Sequence, residues 1–147
     1  VPPGADAALV RATLLANLRH AAREFRPAGL TLLLEPINTV DVPGFAVARP
    51  AEGAALLAEA GAPNTGLQYD VYHAAMMGED PVEGLSRLAP VIRHVQFADA
   101  PGRHEPGTGR VDIAGCFARL DALGYEGWVA AEYRPSKATA QTLGWLA

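Results

Sequence analysis

Four side chains able to bind a metal or move a proton stand at the ends of four short apolar runs. Glu35 follows LTLLL, Asp70 ends GLQYD, Gln96 lies near the end of VIRHVQF, and Glu132 follows WVAA. Three carboxylates and an amide offer only oxygen donors, a set that suits a hard divalent cation such as Mg²⁺ or Mn²⁺ better than zinc. A cation among them would also let the carboxylates stay ionised side by side without driving their pKa values apart. Any one of them alone reads as a solvated acid or a helix cap. Their common position at four strand ends points to a shared site.

A second chemical stretch is HVQFADAPGRHEPGTG, residues 94–109, where Arg103, His104 and Glu105 sit among prolines and glycines. Arg103 can pair bidentately with a carboxylate, with Gly107 and Gly109 allowing close backbone approach, and reads equally well as a turn residue. His73, just past Asp70, either meets a ligand hydroxyl or braces its loop. Asp99 suits an acceptor that orients a metal ligand or Arg103. His104 reads as a solvated or loop-bracing imidazole, His94 as an interior side chain one step below Gln96, and His20 as part of a wet helix face. Cys116, in an apolar helical run, reads as a buried thiol rather than a nucleophile, and Trp128 and Trp145 as packing residues. The triplet Gly107-Thr108-Gly109 lacks the strand and helix context of a nucleotide site.

The elements that must position these residues follow from periodicity. Residues 5–25 repeat apolar side chains at three- and four-residue spacing and predict an amphipathic helix closed by Pro27 and Gly29. A strand over Leu30–Leu34 follows. Pro50 then opens a helix stopped by Gly61 before the strand GLQYD, and Pro81 opens VEGLSRLA before VIRHVQF. AGCFARLDALG precedes WVAAE, and SKATAQTLGWLA predicts a last helical piece. Strands alternating with helices, without hairpin signals, predict right-handed βαβ units and a parallel α/β sheet. Such a sheet brings its C-terminal strand ends to one rim, where residues 35, 26 and 36 positions apart converge. Alternation puts Gln68 with Asp70, and His94 with Gln96, on one face. Leu67 with Tyr69, and Val95 with Phe97, point to the helices.

Composition narrows the class. The chain has 147 residues, half of them apolar, which is enough for one domain with a core. A net charge of -4 leaves no basic face for a nucleic acid. One cysteine forms no internal disulfide, and no stretch is long enough to span a bilayer, so a cytoplasmic protein with no membrane partner is expected.

The segments LEPINTVDVPGF, LQYDVYH, HVQFADAPGRHEPGTG and GYEGWVAAEYRP together resemble the hydroxypyruvate isomerase family of the xylose isomerase-like TIM-barrel superfamily, from about Leu30 onward. The 2-oxo-tetronate isomerases share these motifs. The resemblance implies that Glu35 and Glu132 are the two catalytic glutamates and that Glu35, Asp70, Gln96 and Glu132 hold the divalent metal. It also implies that His73 and Arg103 contact a small 2-oxo or hydroxy acid. Glutamine rather than histidine at position 96 favours this branch over the related sugar epimerases. The implied reaction interconverts hydroxypyruvate and 2-hydroxy-3-oxopropanoate by proton transfer through an enediolate, with no nicotinamide or flavin.

A complete (β/α)₈ barrel takes about 250 residues, and the resemblance covers strands five to eight, preceded by the helix that follows strand four. The expectation is therefore the C-terminal part of one barrel domain over residues 1–147, truncated at its N-terminus. Two competing readings follow. An inactive half barrel that binds metal or self-associates through its sheet edges would be no enzyme. A related metal nuclease for damaged DNA would need a histidine-rich zinc set and a basic surface that this sequence lacks.

Overall fold

The computed structural model describes residues 1–146. Helix α1 (Ala7–Phe25) begins where the Asp6 carboxylate accepts the amides of Ala8 at 2.8 Å and Leu9 at 3.0 Å, which satisfies two of the free N–H groups of its first turn. Strand β1 (Leu32–Leu34), helix α2 (Pro50–Ala60) and strand β2 (Thr65–Asp70) follow. Then come α3 (Val71–Met76), α4 (Pro81–Leu88), β3 (Ile92–Phe97), α5 (Ile113–Ala122) and β4 (Trp128–Ala131). Asp80 and Asp112 cap α4 and α5 in the same manner as Asp6.

The four strands form one parallel sheet in the order β1-β2-β3-β4. Neighbouring strands are consecutive in sequence, so each crossover helix returns the chain to the next position. This is half the pattern of a closed barrel. The alternation read from the sequence is present. Leu67, Tyr69, Val95 and Phe97 are buried against α4 and α5 with Leu85, Leu88, Cys116 and Leu120, while Gln68, His94 and Gln96 lie half-buried on the opposite face. Leu67 has no exposed surface, and truncating it to Ala would cost roughly 2–5 kcal/mol through lost transfer energy and the cavity left behind. Gly84 is a packing requirement: a Cβ there would overlap the Tyr69 ring. A second cluster joins α1 to α2 through Leu15, Leu18, Val47, Leu56 and Ala60.

Three sequence expectations are corrected. The C-terminal piece is not a helix but two 3₁₀ turns, Thr139–Gln141 and Gly144–Leu146, whose Trp145 packs edge-on against Phe97 and Tyr133. Helix α3, which the periodicity did not predict, exists because the Asp70 carboxylate caps it. Trp128 is 82% exposed rather than packed, since its pairing with His94 directs it to the face that no helix covers. Among the described residues, no helix is long and apolar enough to cross a membrane.

Candidate active site

The strand ends meet as the spacing requires. Asp70 stands opposite Gln96 in the ladder, Gln96 stands opposite Ala130, and the Glu132 amide donates to the Phe97 carbonyl at 3.0 Å. Glu35 is the first residue after β1. Gln68 ties two strand ends together, since its amide N–H donates to Gln96 Oε1.

Glu35, Asp70 and His73 form the tightest cluster, each offering one ligand atom within 4.8 Å of the others. Asp70 divides its carboxylate between two tasks. Its Oδ1 accepts the amides of Tyr72 at 2.7 Å and His73 at 3.3 Å, while Oδ2 faces His73 Nε2 at 3.7 Å. His73 Nε2 also lies 3.9 Å from Glu35 Oε1. Both separations are too long for a direct hydrogen bond. Burial, and then the Asp70 charge, raise the pKa of Glu35. Burial also raises that of Asp70, against the opposing pull of His73 and two backbone amides. The imidazole is pushed the other way, since burial disfavours its cation more than the Asp70 charge supports it.

The tautomer of His73 follows from its neighbours. The Asp41 amide donates to Asn38 Oδ1 at 2.8 Å, which leaves Asn38 Nδ2 facing His73 Nδ1 at 2.6 Å. An amide nitrogen only donates, so Nδ1 accepts and the proton sits on Nε2. His73 therefore presents an N–H rather than a lone pair to the two carboxylates. In this tautomer Nε2 has no lone pair to offer a cation.

The loop after β3 supplies Arg103. Asp99 is buried and accepts four backbone amides, from Ala100 at 2.8 Å, Gly107 at 2.9 Å, Gly109 at 2.8 Å and Val111 at 3.0 Å. This corrects the expected role of Asp99, which organises the loop backbone and makes no bond to a metal ligand or to Arg103. Burial pushes its pKa up, but the four amides outweigh it and the net shift is downward. Gly109 passes so close to Asp99 and Ala100 that a Cβ there would collide with both. Arg103 itself adopts φ 57, a strained backbone for a residue with a side chain. Its guanidinium bonds Glu132 Oε2 at 2.5 Å, lies 3.6 Å from Asp70 Oδ2, and sits 5.1 Å from the centre of the Tyr72 ring. His104 braces the loop, as expected, by donating from Nδ1 to the Arg134 carbonyl at 2.7 Å. His20 lies on the exposed face of α1, and Cys116 is buried with its thiol pKa pushed up to about 12.

The structure brings Glu35, Asp70, Gln96, Glu132, His73 and Arg103, the residues singled out from the sequence, to one rim. Sequence reasoning missed Asn38, Gln68 and Arg134. The signal for Asn38 was its place in the long loop that directly follows Glu35. The donor chemistry fits a hard cation, because Glu35 and Asp70 lie together in a partly buried space where burial raises both pKa values and the Asp70 charge raises that of Glu35 further.

A family model described as xylose isomerase-like TIM barrel matches residues 1–147. The chain belongs to the xylose isomerase-like TIM barrel family. A 2-oxo-tetronate isomerase of Cupriavidus necator is 43% identical over 146 residues, covering 99% of this chain and 56% of that protein. The hydroxypyruvate isomerase of Escherichia coli is 37% identical over 145 residues, with the same coverages. Among solved structures, an AP endonuclease of family 2 from Brucella melitensis superposes with a TM-score of 0.94 at 35% identity, over 98% of this chain and 56% of that one. A 3-keto-D-glucoside 4-epimerase from E. coli gives 0.88 at 25% identity, over 99% and 57%. The chain spans about half the length of the curated relatives it matches.

Proposed function

We propose that the protein is a metal-assisted isomerase of small hydroxy and oxo acids, interconverting hydroxypyruvate and 2-hydroxy-3-oxopropanoate. The observation that carries this reading is the convergence of Glu35 and Glu132 at one rim with Asp70 and Gln96 between them and two donors, His73 and Arg103, alongside. The relatives named as acid isomerases support it.

Glu35, Asp70, Gln96 and Glu132 would hold the divalent cation, Mg²⁺ or Mn²⁺. When bound, it supplies Lewis-acid stabilisation for oxygens that gain negative charge during the reaction. The chain's own residues handle the proton. Moving the carbonyl from C2 to C3 of hydroxypyruvate requires a proton to leave C3 and another to arrive at C2, with an enediolate between, while the C3 hydroxyl gives up its proton and the C2 oxygen gains one. One glutamate removes the first and the other delivers the second. Burial and the Asp70 charge raise the pKa of Glu35, so it holds a proton more readily than an ordinary glutamate. Glu132 is paired with Arg103, so the guanidinium keeps a carboxylate in position. The Nε2–H of His73 is oriented to donate to a substrate oxygen between Glu35 and Asp70.

A four-carbon 2-oxo-tetronate is the second reading, favoured by the higher identity to the Cupriavidus enzyme. Comparing kcat/KM for the two acids decides between them. Comparable failure on both acids, with metal present, would contradict the isomerase reading.

A further inference from the structure

Beside the carboxylate cluster lies a cavity of about 360 Å³, lined by Asp41, Tyr72, Met76, Gly102, Arg103 and Arg134. Its two cations are in different situations. The Arg103 guanidinium is already engaged by Glu132 at 2.5 Å, with Asp70 at 3.6 Å and the Tyr72 ring beneath it. The Arg134 guanidinium makes no hydrogen bond or ion pair among the described residues, although its backbone is held on both sides. Its N–H donates to the Arg103 carbonyl at 2.7 Å, and its carbonyl accepts from His104 at 2.7 Å. The root of the side chain is therefore fixed at the cavity wall while its charged end is available. The cavity's own carboxylate does not claim it, since Asp41 Oδ2 takes the Tyr72 hydroxyl at 2.7 Å and Asn38 Nδ2 at 3.0 Å.

We propose that Arg134 is the specificity-determining residue of this cavity, binding the carboxylate of a small hydroxy or oxo acid whose oxygenated carbons lie toward Glu35, Asp70 and His73. The carboxylates of Glu35, Asp70, Glu132 and Asp41 outweigh the combined charge of a divalent cation and Arg103, and an anionic substrate entering them needs a further cation that no protein carboxylate has neutralised. Arg134 meets that need, and its planar fork matches a carboxylate with two parallel hydrogen bonds. A neutral sugar gains nothing from it. The inference rests on the isomerase reading and deepens it by naming what selects acids over neutral polyols.

The test compares two ligands with one skeleton, glycerate and glycerol, titrated into the complete protein and followed by backbone amide shifts in NMR. Wild type is expected to bind glycerate at least about tenfold more tightly than glycerol, as a charge-assisted bidentate pair allows. Arg134→Gln should abolish that preference with its spectrum otherwise intact, Arg134→Lys should keep much of it, and glycerol binding should be alike in all three. In turnover, Arg134→Gln should raise KM for the acid while leaving kcat within about twofold. Glycerate affinity within about twofold of wild type in Arg134→Gln would overturn the proposal, as would a wild type with no preference. Arg134-dependent glycerate binding without turnover of hydroxypyruvate would support the acid site while overturning the isomerase reading.

Discussion

Asn38 Nδ2 lies 2.6 Å from His73 Nδ1, and this contact decides which nitrogen of a buried imidazole faces the two carboxylates. Asn38 is in turn held by Asp41, whose amide donates to Asn38 Oδ1 at 2.8 Å and whose Oδ2 accepts from Asn38 Nδ2 at 3.0 Å and from the Tyr72 hydroxyl at 2.7 Å. Loop after β1, helix α3 and imidazole thus form one hydrogen-bonded unit.

Replacing Asn38 by Ala should release that tautomer. Imidazole ¹⁵N shifts are expected to report a single Nε2–H form of His73 in the wild type and a mixture in the variant. Loss of the buried partner should also lower stability by about 1–3 kcal/mol. A single Nε2–H form retained in Asn38→Ala would show that the carboxylates alone set the tautomer.

Asp99 governs a different property. Its four amide bonds hold the loop that presents Arg103, so Asp99→Asn should cost about 3 kcal/mol near neutral pH, in the range for breaking a buried charged network. Because the folded-state pKa is depressed, the contribution is fully present above the unfolded value near 3.9 and is lost as pH falls through the lower folded value. Denaturant titrations from neutral pH into acid should show the gap between wild type and variant closing only below about pH 4. A gap that closed near neutrality would assign the stabilisation to another group.

Glu35 carries the opposite sign. Its folded pKa is raised, so the folded, metal-free chain holds this proton more tightly than the unfolded chain. That favourable contribution is complete below the ordinary glutamate value and disappears as pH rises through the folded value. Glu35→Gln should therefore raise the Tm of the metal-free protein at neutral pH while weakening Mn²⁺ binding by at least about tenfold, measured by calorimetry. A variant less stable than wild type without metal would contradict the repulsion described for this cluster.

The sheet edges make a further prediction. Strands β1 and β4 each pair on one side only among the described residues, and Trp128 stands 82% exposed on β4. The 147-residue chain by itself is expected to self-associate in sedimentation, and Trp128→Lys, which places a charge on an open edge, should shift it toward monomer. A compact wild-type monomer at micromolar concentration would sink this expectation.

What was readable in the sequence was whatever short-range periodicity encodes. Leu67, Tyr69, Val95 and Phe97 alternate with Gln68, Asp70, His94 and Gln96, which placed the core face, and helices between the strands placed the parallel sheet and its rim. What was not readable depended on contacts between distant loops. Asp99 carried the same letter whether it oriented Arg103 or folded its own loop, and only the positions of Gly107, Gly109 and Val111 around it separate the two. Nothing in the sequence singles out Arg134, which the Arg103 carbonyl and His104 anchor beside a cavity. Trp128 was read as core because large aromatics usually are, yet its strand faces the uncovered side of the sheet.

The measurement closest to the central claim is proton exchange at carbon. Incubated with Mn²⁺ and hydroxypyruvate in D₂O, the complete protein is expected to replace the C3 hydrogen by deuterium and to form 2-hydroxy-3-oxopropanoate carrying deuterium at C2. Glu35→Gln and Glu132→Gln should each abolish both changes without unfolding the protein. Exchange no faster than in buffer, or exchange at the wild-type rate in both variants, would contradict proton transfer by these two glutamates.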